Sequence, residues 1–184
     1  MNRRSSCPLT FAASAAVSAA QLPLTLQYTI LSNGKPAGGA TGIYNAGGRV
    51  DSSYEFNDRG RSPKISAHYL LGSNGWPSRI DITGVDYLKA PVDEHFAAEN
   101  GQAHWKSTSE NGKAPAEGFF ASNNGSSAET AFLVAALMKA KGSHLKLLPA
   151  GEAVLERVAD VTLESHGQKL HVSKFAITGL PLRR

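Results

Sequence analysis

Residues 63–83, PKISAHYLLGSNGWPSRIDIT, carry the pattern that decides the fold. Ile65, Ala67, Tyr69 and Leu71 alternate with Ser66, His68 and Leu70; Asn74-Gly75 then interrupts, and Ile80 and Ile82 resume the alternation. Successive side chains of a strand point to opposite faces, so a period of two marks a strand with one buried face. Asn-Gly takes the positive φ values of a tight hairpin turn. The stretch therefore reads as two antiparallel strands, near 63–71 and 77–83, turning at Asn74-Gly75.

The same punctuation recurs in both directions, at Asn33-Gly34, Gly47-Gly48, Asn100-Gly101, Asn111-Gly112 and His166-Gly167. Between the turns lie further strands, expected near 23–32, 37–44, 49–57, 93–99, 102–108, 151–164 and 168–178. Leu24, Leu26, Tyr28 and Ile30 share one face of the first, and Val50, Ser52, Tyr54 and Phe56 one face of the third. In the last, Leu170, Val172, Lys174 and Ala176 oppose His171, Ser173, Phe175 and Ile177. The fold class is mainly β (α+β): a curved antiparallel meander of about nine strands, with a helix over about 127–141 packed on it. Ser126-Ser127-Ala128-Glu129 matches a capping box, in which the serine oxygen accepts from the helix and the glutamate reaches back. Phe132, Leu133, Ala136, Leu137 and Ala140 follow at helical spacing, Lys139 and Lys141 suit the C-terminal dipole, and Gly142 suits a left-handed cap. Glu110–Asn124 reads as a long loop anchored by Phe119-Phe120.

The chain has 184 residues, of which 18% are charged, with a formal net charge of +4. That length suits one domain with a single core, and the composition is that of an ordinary globular protein. Residues 1–20 differ from the rest. Met1-Asn2-Arg3-Arg4 is a basic start, Pro8–Ala20 a short alanine-rich apolar run, and Ser18 and Ala20 are the small residues of a cleavage site before Gln21. These three features define a secretory signal peptide, and the run is too short to span a bilayer. The expectation is a 1–20 leader and a single β-rich domain over 21–184, periplasmic or secreted, with no transmembrane anchor. The only cysteine, Cys7, lies within the leader. Removing the leader leaves 17 of the 19 basic residues against all 15 acidic ones. So small a balance makes no electrostatic case for nucleic acid.

Catalytic signatures are missing from the sequence. No G-x-S-x-G elbow occurs, and His68, His95, His104, His144, His166 and His171 form neither H-x-H nor H-E-x-x-H. The glycine-rich run Gly34–Gly42 lacks the Gly-Lys-Ser/Thr ending of a phosphate loop and reads as a hairpin turn followed by a strand that another group approaches closely. Two readings stay open for Asp58–Lys64. Arg59 and Arg61, with Lys64 beside them, can hold a carboxylate or phosphate; alternatively the segment is a solvated turn with Asp58 paired to an arginine, the commoner use of such loops. Asp86, Asp93 and Glu94 are the carboxylates nearest an acid–base arrangement, and Lys89 between them makes local ion pairing the simpler account. No catalytic, metal-binding or cofactor-binding residue is assigned, and no cofactor is expected.

Five segments together resemble the β-rich N-terminal region of exported bacterial amidohydrolase-superfamily proteins. They are YTILSNGKPAG (Tyr28–Gly38), YEFNDRGRSPK (Tyr54–Lys64), DITGVDYLKAPVDEHF (Asp81–Phe96), AHWKS (Ala103–Ser107) and LLPAGEAVLERV (Leu147–Val158). The opening also looks like small periplasmic β-domains beginning Y-x-(V/I)-x-x-x-G-x-x-x-G. In the amidohydrolase family the chemistry belongs to a following metal-dependent barrel with H-x-H, a lysine, further histidines and an aspartate, and no such motif stands here. The resemblance implies a non-catalytic accessory domain, with the amidohydrolase catalytic domain as partner. Arg59, Arg61, Lys64, Asp86, Tyr87, Lys89, Asp93 and Glu94 are the candidates for the interface. A second expectation is a binding module for an apolar small molecule on the curved sheet; Tyr54, Phe56, Tyr69, Trp76 and Trp105 are the residues that would line its pocket, and their alternation reads first as a simple packed core.

Overall fold

A computed structural model describes residues 21–165 and 167–180; the leader expected over 1–20, His166 and residues 181–184 lie outside the described residues. The alternating segments form twelve strands in two sheets. The first sheet is an antiparallel meander of eight strands in chain order: β1 (Leu24–Ser32), β2 (Lys35–Tyr44), β3 (Arg49–Phe56), β4 (Lys64–Leu71), β5 (Pro77–Val85), β6 (Pro91–Glu99), β7 (Gln102–Lys106) and β8 (Asn111–Pro115). Helix α1 (Ser127–Lys139) interrupts the strands. The second sheet, in the order β12-β11-β10-β9, contains β9 (Phe119–Phe120), β10 (His144–Leu148), β11 (Glu152–Ser165) and β12 (Gln168–Thr178).

The mainly β class, the meander and the single helix agree with the sequence pattern. The strand count rises from about nine to twelve because β8, β9 and β10 are short. Two of these strands fall inside Glu110–Asn124, which reads as loop in the sequence: five residues of β8 pair with β7, and Phe119-Phe120 pair with Leu147-Leu148. The β9–β10 pair is parallel, with α1 as its crossover, so one connection departs from the hairpin rule.

Alternation sets the two faces of the first sheet. Val50, Ile65, Ala67, Tyr69, Ile80, Ile82, Phe96 and Ala103 are buried on the inner face. Above them lie α1, through Phe132, Leu133, Ala136 and Leu137, and the second sheet, through Phe119, Phe120, Leu147, Leu148, Ala153 and Leu155. Aromatic contacts join the layers: Phe96 stacks on Phe120 at 4.4 Å between centroids, and Phe132 meets Tyr69 edge-on at 5.4 Å.

The helix start is built differently from a capping box. Ser126 Oγ accepts from the Ala128 amide at 3.3 Å, as expected of an N-cap. Glu129 does not reach back; the Ser126 amide donates instead to the Tyr69 hydroxyl on β4 at 3.1 Å. At the other end Ala140, in extended conformation, ends the helix, and Gly142 takes its positive φ within the following turn. The last hairpin contains a bulge. Arg157 pairs with Phe175 and Ala159 with Lys174, leaving Val158 as the extra residue. Past it the apolar residues Val161, Leu163, Leu170 and Val172 lie on the face opposite to Ala153 and Leu155, and all four are exposed.

Candidate interaction surface

Two loops meet at one end of the first sheet, and they hold five of the eight predicted interface residues. In the β3–β4 loop, Asp58 and Arg61 exchange backbone hydrogen bonds at 2.8 and 3.0 Å, around Arg59 and Gly60 at positive φ. A tight turn of this kind throws the Arg59 side chain into solvent, where it is 87% exposed. In the β5–β6 loop, Asp86 Oδ1 accepts from the Leu88 and Ala90 amides, both at 2.8 Å, and Lys89 sits at positive φ. Asp86 is thus spent on shaping its own loop. Tyr87 joins the two loops. Its hydroxyl donates to Asp58 Oδ2 at 2.7 Å, its ring lies 6.4 Å from Phe56, and the Arg61 guanidinium sits over it at 5.1 Å. The result is a pinned cationic and aromatic end, from which Leu88 projects with 73% exposure.

The other three candidates lie elsewhere. Lys64 begins β4 on the outer face and pairs with Glu55 at 3.1 Å. Asp93 and Glu94 are neighbours in sequence and therefore face opposite ways on β6. Asp93 accepts from His95 Nε2 on the outer face at 3.0 Å. Glu94 is buried on the inner face, where its carboxylate accepts from the Asn123 amide at 3.0 Å and from Asn124 Nδ2 at 2.6 Å. Beside it Glu129 accepts from the Ser122 amide at 2.8 Å and from Ser122 Oγ at 2.5 Å. Burial pushes the Glu129 carboxyl up to about 7; the Ser122 bonds and the Tyr69 hydroxyl oppose this, and the nearby Glu94 charge adds to it. Both carboxylates hold the 122–124 segment against the sheet and the start of α1.

The outer face carries an arrangement that no local motif signals. Asp51, His68, Asp81, His95 and Lys106 lie directly opposite one another across five consecutive strands. His68 Nδ1 and Asp51 are 2.6 Å apart, His95 Nδ1 and Asp81 2.8 Å, and Arg79 Nε donates to Asp81 at 2.9 Å. The bond to Asp81 raises the affinity of His95 for its proton; partial burial opposes this, and Asp93 adds to it. For Asp81 burial pulls upward, but the bonds from His95 and Arg79 prevail and hold it low. Each of these residues falls on the polar half of an alternating strand, which the sequence displays; their alignment depends on register, which it does not. A parallel row, Gln27, Thr41, Ser53, Ser66 and Thr83, runs beside the charged one, and a trough of about 740 Å³ lies over its β1–β4 part.

The aromatic residues expected around an apolar ligand serve mainly as packing. Tyr69 meets Phe132, Trp76 meets Phe119 at 6.3 Å, and Trp105 meets Phe120 at 6.0 Å; Tyr54 and Phe56 stack near the loop end. Among the described residues no group of three or more His, Cys, Asp or Glu side chains is placed to hold a metal ion. No helix among them is long and apolar enough to cross a membrane. Comparison with family models, with curated proteins and with solved structures finds no match to this chain.

Proposed function

We propose that the chain is an exported, non-catalytic accessory domain that docks on an amidohydrolase-type catalytic barrel. The observation that carries this reading is the loop end built from Asp58, Arg59, Arg61, Tyr87, Leu88 and Lys89. An exposed leucine between Tyr87 and Lys89, on a loop joined through Tyr87 to the one that carries Arg59 and Arg61, has the make-up of an interface centre with a polar rim. The five-segment resemblance supports the identity of the partner, and two of those segments, Tyr54–Lys64 and Asp81–Phe96, contain both loops. The basic, apolar and small-residue order of residues 1–20 supports export.

Titration calorimetry of the purified domain against an exported amidohydrolase barrel stripped of its own N-terminal region tests the docking. Binding is expected, with Leu88→Asp weakening it at least tenfold and leaving the domain's melting temperature unchanged. A hydrolysis assay of the domain alone, on amide, ester and lactone substrates with and without zinc, is expected to show no turnover. Metal-dependent turnover by the domain alone, or binding indifferent to Leu88, would overturn the reading. N-terminal sequencing of protein from the periplasmic fraction is expected to begin at Gln21.

A further inference from the structure

The edges of the two sheets are not equally protected. An unpaired edge offers a row of free amides and carbonyls to any other chain, and proteins blunt such edges with lysine, proline or shortness. The edge strand β8 is five residues long and carries Lys113 and Pro115; the edge strand β12 carries Lys169 and Lys174; β9 has two residues. The remaining edge, β1, has nine residues, Leu24–Ser32, with no charged side chain and no proline. Its outer side has no partner strand among the described residues. Its pairing with β2 is regular from Leu24 to Ile30, and the only irregularity follows Ile30.

That regular stretch, Leu24-Thr25-Leu26-Gln27-Tyr28-Thr29-Ile30, is a palindrome in residue character about Gln27. Paired antiparallel with itself about that residue, Leu24 meets Ile30, Leu26 meets Tyr28, Thr25 meets Thr29 and Gln27 meets Gln27. Residues directly opposite in a sheet share a face. The apolar pairs would therefore fall on the inner face and the polar ones on the outer face, in both copies at once. The inner side needs such cover: Leu24, Leu26 and Ile30 are only half-buried, and Tyr28 is 52% exposed. A two-fold axis also sets every charge near it against its own copy, so a charge-free strand suits this partner above others.

We propose that β1 is a self-pairing edge: two copies of this chain join through antiparallel β1 strands, with Gln27 on the dyad, into one continuous sheet. The interface is independent of the loop end assigned to docking. Sedimentation equilibrium of the purified chain over a hundredfold range of concentration tests it. A monomer–dimer equilibrium is expected for the wild type. Gln27→Lys and Gln27→Glu, each placing like charges opposite one another, are each expected to weaken association roughly fivefold or more. An equimolar mixture of the two is expected to recover it as a heterodimer. Thr83→Lys, on the outer face of the interior strand β5, leaves the equilibrium unchanged. The double variant Thr25→Glu with Thr29→Lys, which sets unlike charges opposite in the same register, is expected to strengthen association. A wild type that is monomeric throughout, whether or not some other extended peptide pairs with β1, overturns the proposal. So does a dimer indifferent to both Gln27 substitutions, or a mixture that fails to recover.

Discussion

The centre of the inner face and the β11–β12 arm are written in the same alternating pattern, yet they end in opposite environments. Ile65, Ala67, Ile80 and Ile82 are almost wholly buried, because α1 and the second sheet lie over them. Val161, Leu163, Leu170 and Val172 alternate as cleanly and stay exposed, because beyond the bulge at Val158 no described residue covers either face of the arm. The comparison teaches that period two specifies a strand and its two faces, whereas burial requires a second layer and the register that aims one face at it.

Removing a core side chain should show the contrast at full size. Leu137, wholly buried on α1, is expected to cost about 4 kcal/mol when replaced by alanine, through lost transfer energy plus the cavity left behind. Urea unfolding at neutral pH measures it; a loss below about 1 kcal/mol would mean that α1 is not clamped to the sheet.

The buried carboxylates sharpen the picture of the covered region. Glu129 has a folded-state pKa near 7, raised from 4.5, so its protonated form is the one the fold favours. The native state then binds the proton more tightly than the unfolded chain. Stability from this group is complete below about pH 4.5 and is lost as pH rises through 7. The loss is roughly 3 kcal/mol as an order of magnitude. Glu94 and Tyr69 face the same carboxyl: the Glu94 charge pushes the Glu129 pKa up and the Tyr69 hydroxyl pulls it down. Denaturation midpoints of Glu129→Gln are expected to be flatter with pH than the wild type between pH 5 and 8. An unchanged slope would remove Glu129 from the account.

Tyr69→Phe isolates the cap that tertiary structure supplies. It leaves the Ser126 amide without its acceptor and is expected to cost roughly 1–2 kcal/mol by the same unfolding measurement. The smallest effect belongs to the arm: Leu163→Ala, at a site 51% exposed, is expected to stay within about 0.5 kcal/mol. A loss comparable with that of Leu137 would show that something covers the arm in solution.

Much of this architecture is legible in the chain. Alternation and Asn-Gly turns place the long strands to within a residue or two, and the Ser126 cap with the Phe132–Leu137 spacing places the helix. The short strands β8–β10 escape because five residues or fewer carry too little period to read. Of the predicted surface, Arg59, Arg61, Tyr87 and Lys89 come together, whereas Glu94 is buried: alternation puts Asp93 and Glu94 on opposite faces, but only the covering layer makes one of those faces interior. Leu88 and the bond from Tyr87 to Asp58 are not legible, because nothing in a single loop announces that a second loop lies beside it.

The sequence by itself determined nine of the strands, their two-faced character, the helix and most of the turns, since all of these depend on residues a few positions apart; Asn111-Gly112, which reads as a turn, instead opens β8. Tertiary structure alone decided which face is covered, that Tyr69 and not Glu129 completes the helix cap, and that Asp51, His68, Asp81, His95 and Lys106 form one row. Those outcomes rest on contacts between residues far apart in the chain, set by strand register and by the second layer, and local pattern does not encode them.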